Sequence, residues 1–430
     1  MKAPIFIGEL ELTEPIKDIR LPGREDGLAY NGVRLLVRMQ DTPVGYAFLA
    51  PDALAGPAVA GQVWRQLCGA INARRSSRDL DAIDSLPTAG LAFEEKLADK
   101  GTDHPLVTVV LCTRDRPEGA VVTMRRLTGL RYEPFEIVVV DNAPSSEATK
   151  TAIMAEFGGD PRVRYVREPR PGLSCARNCG VAAAAGDIVA FTDDDVRVDP
   201  RWLDGIVRGF GPADDVACVT GLVATAEIDN AIQLYFHHRT AWGTALSQRI
   251  FDLTDNRDDS PLYPYLVGIY GTGANFAMTK SALKELGPFD EALGAGSPCG
   301  GGEDVDMFLR VILAGHRLAY EPSAVVWHVH RAELSELSRQ MTAYGSGCTA
   351  ALTAMVMRNP QVLLKLAAGT VRGLQRITVI GGRVQGNPAL PSGLMLREVC
   401  GMLAGPWLYV KGRRRLRCQP EELRRPLSRS

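Results

Sequence analysis

The middle of the chain alternates short apolar runs with amphipathic segments. The runs are rich in valine, isoleucine and phenylalanine and occupy residues 106–112, 135–141, 163–168, 187–193 and 216–223. Apolar residues at helical spacing lie between them, for example at 120–130 and 176–185. Continuous apolar strands that alternate with helices predict βαβ units and a mostly parallel sheet covered on both faces, so the predicted fold class is α/β.

The first hundred residues have a different pattern. Alternating or continuous apolar positions predict strands at 5–12, 33–39 and 44–50, and a helix is predicted at 58–74. Residue types suited to catalysis are not concentrated in this region. We therefore interpret residues 1–100 as a small α+β accessory module for docking or interaction.

The region after residue 333 is mainly helical. Amphipathic helices are predicted at 335–357 and 361–377, followed by a Gly/Pro loop at 381–393 and a final helix at 394–410. The predicted domains, in chain order, are the accessory module at 1–100, the α/β domain at 101–332 and a helical region with a basic tail at 333–430.

The net charge of the chain argues against one class of partner. It has 49 Lys+Arg and 50 Asp+Glu residues and a formal net charge of -1. A generic nucleic-acid-binding protein normally carries a strongly basic face, so no nucleic-acid partner is expected. The basic residues are nevertheless concentrated at the carboxyl end, which contains Lys411, Arg413, Arg414, Arg415, Arg417, Arg424, Arg425 and Arg429.

Cysteine usage and hydropathy favour a cytoplasmic protein. The nine cysteines are odd in number and form no CxxC pair, so neither a disulfide framework nor a zinc site is predicted. No signal peptide and no apolar run of about 18 residues is found. The segment 394–410 is interpreted as a packed helix with a solvated tail; peripheral contact with the inner face of an anionic membrane is the alternative.

Three consecutive carboxylates, Asp193, Asp194 and Asp195, stand at the end of the apolar run 187–193. Ligands of parallel sheets bind at the carboxyl ends of the strands, and these residues stand at such an end. Their mutual repulsion calls for an opposing charge, and Mg²⁺ or Mn²⁺ bridging to substrate phosphates would supply it. A solvated acidic turn is the other interpretation.

A second acidic pair, Glu303 and Asp304, opens a predicted helix after the segment 294–302, which contains five glycines. Acids in a first helical turn suit the helix dipole, and that is the simpler interpretation. A mobile glycine-rich lid ending in a carboxylate would instead exclude water and present a general base.

Three further segments are candidates for the site. His328 and His330 lie on the same side of an extended segment, where one of them could join a metal site, although such histidines usually pack. Arg177 stands near a predicted helix start and could pair with the acidic cluster or with a phosphate. The Gly/Asn turn at 271–278 could line a pocket. Neither GxxxxGKS nor GxGxxG stands between a strand and a helix, so phosphate recognition would fall to metal, arginine and backbone groups.

Taken in order, five blocks resemble the catalytic domain of glycosyltransferase family 2. They read VTVVLCTRDRP, EIVVVDNAP, PGLSCARNCGVAAAAGDIVAFTDDDV, GANFAMTKSALKELGPFDEALG and GGEDVDMFLRVILAGHRLAYEPSAVVWHVHR. The resemblance covers about residues 105–332. It implies a GT-A fold, a nucleotide-sugar donor and inversion at the anomeric carbon.

The resemblance also implies where the donor binds. Thr113, Arg114 and Asp141 match positions of the nucleoside pocket, and Asp141 is the one expected to contact the base. Arg177 and Asn178 match a helix-start pair near the donor. The second block reads DNAP where many members have a second acid or a Gly-Ser turn, which leaves a UDP-, dTDP- or GDP-linked donor equally open.

The same resemblance implies a metal shell of Mn²⁺ or Mg²⁺. Asp195 matches the metal ligand, while Asp193 and Asp194 match positions near the ribose and sugar, with Asp193 also a candidate ligand. His328 matches a position that completes the shell in some relatives, and His330 is the alternative.

Asp304 matches the general base, and Glu303 is the other acid of that pair. The predicted reaction is a single displacement in which an acceptor hydroxyl attacks the sugar. The acceptor, a glycan, a lipid-linked sugar or a small molecule, is left open, and the protein could be a homo-oligomer. A nucleotidyltransferase and a non-catalytic sugar- or partner-binding module are the alternative functions.

Overall fold

The structure is a computed structural model and describes residues 2–92, 104–213, 215–240, 243–266, 268–368 and 393–418. Its contacts divide the chain into two compact units. The first contains Met1–Asp103, Ala224–Ser247 and Trp327–Glu333, and the second contains His104–Val223, Gln248–Val326 and Leu334–Ser430. The domain boundaries at residues 100 and 332 remain predictions.

The secondary-structure elements are numbered in chain order. The strands are β1 (Phe6–Glu11), β2 (Val33–Met39), β3 (Thr42–Leu49), β4 (Val107–Thr113), β5 (Phe135–Asn142), β6 (Val163–Glu168), β7 (Ile188–Asp193), β8 (Val196–Val198), β9 (Val216–Thr225), β10 (Arg249–Phe251), β11 (Asn275–Thr279) and β12 (Arg317–His328). The helices are α1 (Gly56–Ser76), α2 (Pro117–Leu127), α3 (Ala148–Phe157), α4 (Leu173–Ala183), α5 (Trp202–Phe210), α6 (Ala231–Arg239), α7 (Lys280–Leu286), α8 (Glu303–Leu313), α9 (Leu334–Arg358) and α10 (Gly393–Arg417).

The first unit contains the predicted N-terminal sheet. β2 is the central strand, with β1 parallel on one side and β3 antiparallel on the other. Alternate residues of β2, such as Leu35 and Val37, pack into a core with Val59 and Val63 of α1. The strands could be predicted because buried apolar residues recur at every second position. The predicted strands and helix of the module are confirmed.

The second unit is organised around the large sheet, whose strand order is β10-β12-β9-β11-β7-β4-β5-β6, with β8 beside β12. The strands β7, β4, β5 and β6 are parallel to their neighbours in that run. β11 is antiparallel to both β7 and β9, and β10 is antiparallel to β12. All seven residues of β4 are buried, as expected for a strand covered on both faces. The predicted α/β fold class is confirmed.

Parallel pairing brings the carboxyl ends of β4, β5 and β7 to one edge of the sheet. In the register, Thr113 of β4 is the partner of Asp141 on β5, and Cys112 of β4 is the partner of Asp193 on β7. The polar residues predicted to form a site therefore leave the sheet at the same edge.

The helices of the carboxyl end form a hairpin, α9 and α10. Small residues allow them to approach closely: a Cβ on Gly401 would lie 2.2 Å from the Thr342 carbonyl oxygen. Pro406 inside α10 has no N–H to donate to Met402. The hydroxyl of Thr349 on α9 donates to the Met402 carbonyl at 2.8 Å instead, which satisfies the group that the proline leaves open.

The predictions for this region are confirmed where the structure describes it. The helix predicted at 335–357 is α9, residues 361–368 are helical, and the final helix extends past residue 410 to Arg417. The rest of the helix predicted at 361–377, the loop predicted at 381–393 and the end of the basic tail lie outside the described residues, apart from Gly393. Among the described helices, none is long and apolar enough to cross a membrane.

Candidate active site

The loop after β4 contacts the acidic triplet after β7. The Thr113 hydroxyl donates to Asp194 Oδ2 at 2.7 Å, and Arg116 donates to Asp194 Oδ1. Arg116 Nη1 also lies 3.7 Å from Asp195 Oδ2. Asp194 is thus held by the loop after β4, and Arg116 links that loop to two carboxylates of the triplet. The sequence placed Arg116 in the polar segment after the first strand of the α/β domain but predicted no role for it, because a basic residue in a loop has no pattern of its own.

Two more loops at the same edge are tied together by side chains. Asp115 Oδ1 accepts from both the N–H and the hydroxyl of Ser145, each at 2.8 Å. Asn142 Oδ1 accepts from the Gly172 N–H at 2.9 Å, and its amide donates to the Arg170 carbonyl at 2.7 Å. These bonds fix the loops that follow β4, β5 and β6 against one another.

Asp141 stands where β5 ends and is completely buried. Its Oδ2 accepts from the Tyr165 hydroxyl at 2.7 Å, whereas Oδ1 has no hydrogen-bond partner among the described residues. Burial raises the pKa of Asp141, and the bond from Tyr165 opposes that rise. A buried acceptor without a donor is costly, so this oxygen suits a ligand that brings an N–H group.

Arg177 on α4 connects the two acidic clusters. Its guanidinium donates to Glu303 Oε1 at 2.8 Å and to the Gly273 carbonyl at 3.0 Å, and it lies 3.7 Å from Asp193 Oδ1. The side chain is only 2% exposed. One buried cation therefore brings the acidic triplet, the start of α8 and the turn before β11 to the same place.

The two acidic residues at the start of α8 differ in burial and in hydrogen-bond partners. Glu303 is buried and bonded to Arg177, whereas Asp304 is partly exposed. Asp304 Oδ2 accepts from the Gly273 N–H at 2.7 Å, and Oδ1 accepts from the Val305 N–H at 2.8 Å. Both oxygens of Asp304 are oriented by backbone groups and have lone pairs left for a further donor.

Gly273 contacts both charged groups with its backbone. A Cβ at this position would lie 2.9 Å from Arg177 Nη2 and 3.0 Å from Asp304 Oδ2. Glycine is thus required by the close approach of the backbone to these side chains. Only the first part of the turn predicted at 271–278 is a turn, because β11 begins at Asn275. This segment was a weak candidate by its sequence, yet Gly273 contributes a donor and an acceptor to the cluster.

The carboxylates raise one another's pKa values. Burial raises the pKa of Asp193, Arg177 opposes the rise, and the charges of Asp195 and its neighbours add to it. Burial and the charge of Asp304 also raise the pKa of Glu303, and Arg177 again opposes the rise. Negative charge exceeds positive charge at this cluster, so an added cation would be favourable.

The donor set fits an open cation site rather than a closed one. Within the part of the chain that the structure describes, no group of three His, Cys, Asp or Glu side chains could hold a metal ion by itself. Mg²⁺ and Mn²⁺ sites of phosphate-transfer and sugar-transfer chemistry commonly use one or two carboxylates and take their other ligands from phosphate and water. Asp193 and Asp195 fit that kind of site.

Two residues predicted to bind the donor have other contacts in the structure. Asn178 uses both ends of its amide on the main chain of Phe289, accepting from its N–H at 2.8 Å and donating to its carbonyl at 3.0 Å. Arg114 is about half exposed and lies 3.9 Å from Asp115. Their roles toward the donor remain predictions.

The two histidines belong to the first unit. His328 and His330 are buried, with 3.3 Å between their Nδ1 atoms. His330 Nε2 lies 3.1 Å from the Thr225 hydroxyl, and that hydroxyl lies 2.7 Å from His237 Nδ1. Burial lowers the pKa of His330 to about 3, so it is neutral at physiological pH. The assignment of His328 as a metal ligand remains a prediction.

The glycine-rich segment 294–302 has several hydrogen bonds to its surroundings. The Leu173 N–H donates to the Ala295 carbonyl at 2.9 Å, and the Ser346 hydroxyl donates to the Cys299 carbonyl at 2.7 Å. Cys299 itself is fully buried. The segment thus connects α4, α8 and α9, and its opening as a lid remains a prediction.

A family model described as "Glycosyl transferase family 2" matches residues 108–287. The match includes most of β4 and all of β5, β6, β7, β9 and β11 of the large sheet, together with the acidic triplet. The match thus lies on the α/β region for which the sequence resemblance implied a GT-A fold.

Several curated proteins are similar to the same region. The pre-mycofactocin glycosyltransferase of Mycobacterium tuberculosis is 30% identical over 246 residues, which are 57% of this chain and 47% of that protein. The succinoglycan biosynthesis protein ExoM of Rhizobium meliloti is 28% identical over 243 residues, 54% of this chain and 71% of that protein. The chain spans about half the length of the first relative, at 47%.

Among solved structures, the chain is similar to the mannosyltransferase PcManGT from Pyrobaculum calidifontis, which was determined in complex with GDP-Man and Mn²⁺. The two are 18% identical with a TM-score of 0.47, and the match covers 81% of this chain and 97% of that one.

Proposed function

Because residues 108–287 match the model of glycosyltransferase family 2, we propose that the protein transfers a sugar from a nucleotide-sugar donor to an acceptor hydroxyl, with inversion at the anomeric carbon. The observation that carries the proposal is the buried Arg177, which holds Asp193 and Glu303 in one cluster beside Asp304. A metal-binding carboxylate and a general base are thereby within one site.

The nucleoside of the donor binds at the ends of β4 and β5. The free Oδ1 of Asp141 accepts an N–H of the base, which uracil, thymine and guanine all offer. Because this carboxylate is buried, a base that donates an N–H group is strongly favoured over a base that has no such donor. Thr113 is the register partner of Asp141, and we assign Thr113 and Arg114 to the same pocket. Asn178 is assigned to the neighbourhood of the donor, as the family resemblance implies.

Asp195 and Asp193 would hold a divalent cation, Mn²⁺ or Mg²⁺. When bound, such an ion neutralises the charge that develops on the departing diphosphate. The excess of carboxylates over cations in this cluster supports the assignment.

Asp304 is the general base. It is partly exposed and oriented by two backbone N–H groups, whereas Glu303 is buried and paired with Arg177. In the reaction the acceptor oxygen forms a bond to the anomeric carbon, the bond from that carbon to the diphosphate oxygen breaks, and the acceptor proton moves to Asp304. Glu303 positions Arg177 and the start of α8.

A single base with no second carboxylate acting as a nucleophile suits a single displacement, which inverts the anomeric carbon. The acceptor is a glycan, a lipid-linked sugar or a small molecule. The contacts of the site support an enzyme over a non-catalytic binding module, since the proposed base and the proposed metal carboxylates are kept together. A nucleotidyltransferase is the alternative enzyme.

A donor panel tests the proposal. The full chain is incubated with UDP-, dTDP- and GDP-sugars, Mn²⁺ and a set of sugar acceptors, and release of the nucleoside diphosphate is measured. We expect release from one nucleotide class. Calorimetry of nucleoside-diphosphate binding, with Mn²⁺ and with EDTA, adds a readout that needs no acceptor, and Asp195→Asn should abolish the difference between them. Absence of both binding and release for all three classes would refute the proposal.

A further inference from the structure

The solvent face of α10 is apolar over most of the helix. Leu396, Val399, Leu403 and Trp407 follow one another at steps of three and four residues, which places them on one side of a helix. Leu403 is 79% exposed and Trp407 is 63% exposed. A soluble helix normally carries charged residues on this side, so the stripe indicates a partner.

The opposite face of α10 packs against the rest of the protein. A Cβ on Gly405 would lie 2.0 Å from the Thr349 hydroxyl oxygen on α9, so no larger side chain fits there. The Tyr409 hydroxyl donates to Asp290 Oδ2 at 2.7 Å. Because these contacts hold the helix in one rotation about its axis, the apolar stripe cannot turn inward and must face whatever lies outside.

The end of the same stripe is cationic. Lys411 and Arg414 follow Trp407 on the exposed side, and no acidic residue occurs in α10 after Glu398. The Lys411 ammonium lies 5.1 Å from the centre of the Trp407 ring. Tryptophan and lysine together are typical of the boundary between hydrocarbon and lipid headgroups, where the ring lies shallow and the ammonium reaches the phosphate.

We propose that α10 docks the protein on an anionic lipid membrane, with Leu396, Val399, Leu403 and Trp407 in the headgroup boundary and Lys411 and Arg414 on the lipid phosphates. An apolar stripe with a basic end has the features that bind helices flat on such surfaces. A second copy packed with its helix parallel to this one would bring the two cationic ends together, which charge repulsion opposes.

The docking helix is connected to the catalytic helix by a charged cluster. Arg358 of α9 bonds to both Asp290 and Asp306, and Asp290 also accepts from Tyr409 of α10. Asp306 lies in the first turn of α8, two residues after Asp304. Docking through α10 would therefore set the orientation of the proposed base toward the membrane surface.

Vesicle flotation of the purified full chain tests the proposal without any donor or acceptor, so its result is independent of the proposed function. We expect binding to phosphatidylcholine vesicles that contain phosphatidylglycerol, and little binding to phosphatidylcholine alone. Leu403→Glu should lower the partition coefficient about tenfold or more, because a leucine side chain loses its apolar contact. Val122→Glu, at an exposed apolar position of α2, is the matched control and should bind like the wild type.

A second variant separates the two parts of the surface. Lys411→Gln with Arg414→Gln should weaken binding to anionic vesicles by about fivefold per charge and reduce its dependence on salt. Absence of wild-type binding to the anionic vesicles would overturn the proposal, as would equal binding by Leu403→Glu. A wild-type dimer that Leu403→Glu dissociates, without vesicle binding, would assign the stripe to a second copy of the chain instead.

Discussion

Arg177→Met removes the cation on which the acidic cluster depends. The methionine keeps most of the length of the side chain and can pack against the rings of Phe276 and Phe289, whose centres lie 5.3 and 5.7 Å from the guanidinium carbon. The substitution therefore removes charge and hydrogen bonds more than volume. Glu303 would be left buried without its partner, and the Gly273 carbonyl would lose its donor.

The size of the expected loss of stability follows from the burial of Arg177 and Glu303. Removing one partner of a buried ion pair costs about 3–5 kcal/mol, because an uncompensated charge stays inside. The pKa of Glu303 in the folded protein is already raised, and losing Arg177 raises it further. A carboxyl group whose pKa is higher in the folded than in the unfolded state does not reduce the free energy of unfolding at pH values below its unfolded pKa of about 4.3. Above that pH the reduction grows until the pH has passed the folded pKa. The loss should accordingly grow with pH.

Urea unfolding, followed by circular dichroism in EDTA, measures this loss. We expect the free energy of unfolding of Arg177→Met to fall by about 3–5 kcal/mol at neutral pH and by clearly less near pH 5. Arg125→Met is the matched control, since Arg125 makes an exposed pair with Glu156, and it should change stability far less at either pH. Equal losses for the two variants, or a loss for Arg177→Met that does not change with pH, would refute the reasoning.

Two further substitutions test the site. Gly273→Ala places a Cβ 2.9 Å from Arg177 Nη2, so kcat/KM should fall by about 10- to 100-fold because Asp304 is misplaced. In the control Gly159→Ala, the new Cβ meets nothing within 4 Å and kcat/KM should be unchanged. Equal values of kcat/KM for the two variants would contradict the assignment. Asp141→Asn should weaken nucleoside-diphosphate binding about tenfold or more by calorimetry, because a bond to a buried charged acceptor is lost; unchanged affinity would place the base elsewhere.

The central strands of the large sheet could be predicted from the sequence because they are buried on both faces. A buried parallel strand has a continuous apolar run with polar residues where it ends, as β4 and β7 do. β6 is a partly exposed strand at the end of the sheet, and it too has the bounds that were predicted. The predicted helix at 58–74 is two residues shorter at each end than α1, since helix ends depend on capping contacts that periodicity does not show. The acidic residues of the site were found because they interrupt apolar runs.

The contacts within the site could not be predicted in the same way. Gly273 matters because its backbone meets Arg177, 96 residues earlier, and Asp304, 31 residues later. No local pattern contains that information. Asn178 was grouped with Arg177 by its position at a helix start, yet its amide is bonded to the main chain of Phe289. Neighbouring residues of one motif can therefore have different structural partners.

In the proposed reaction, Asp304 removes the proton of the acceptor while the donor binds elsewhere in the cluster. The most direct measurement compares Asp304→Asn with the wild type in two assays, transfer to the acceptor and calorimetric binding of the nucleoside diphosphate. We predict a loss of transfer of about 10²-fold or more with binding unchanged. Full transfer activity in Asp304→Asn would contradict the assignment of the base.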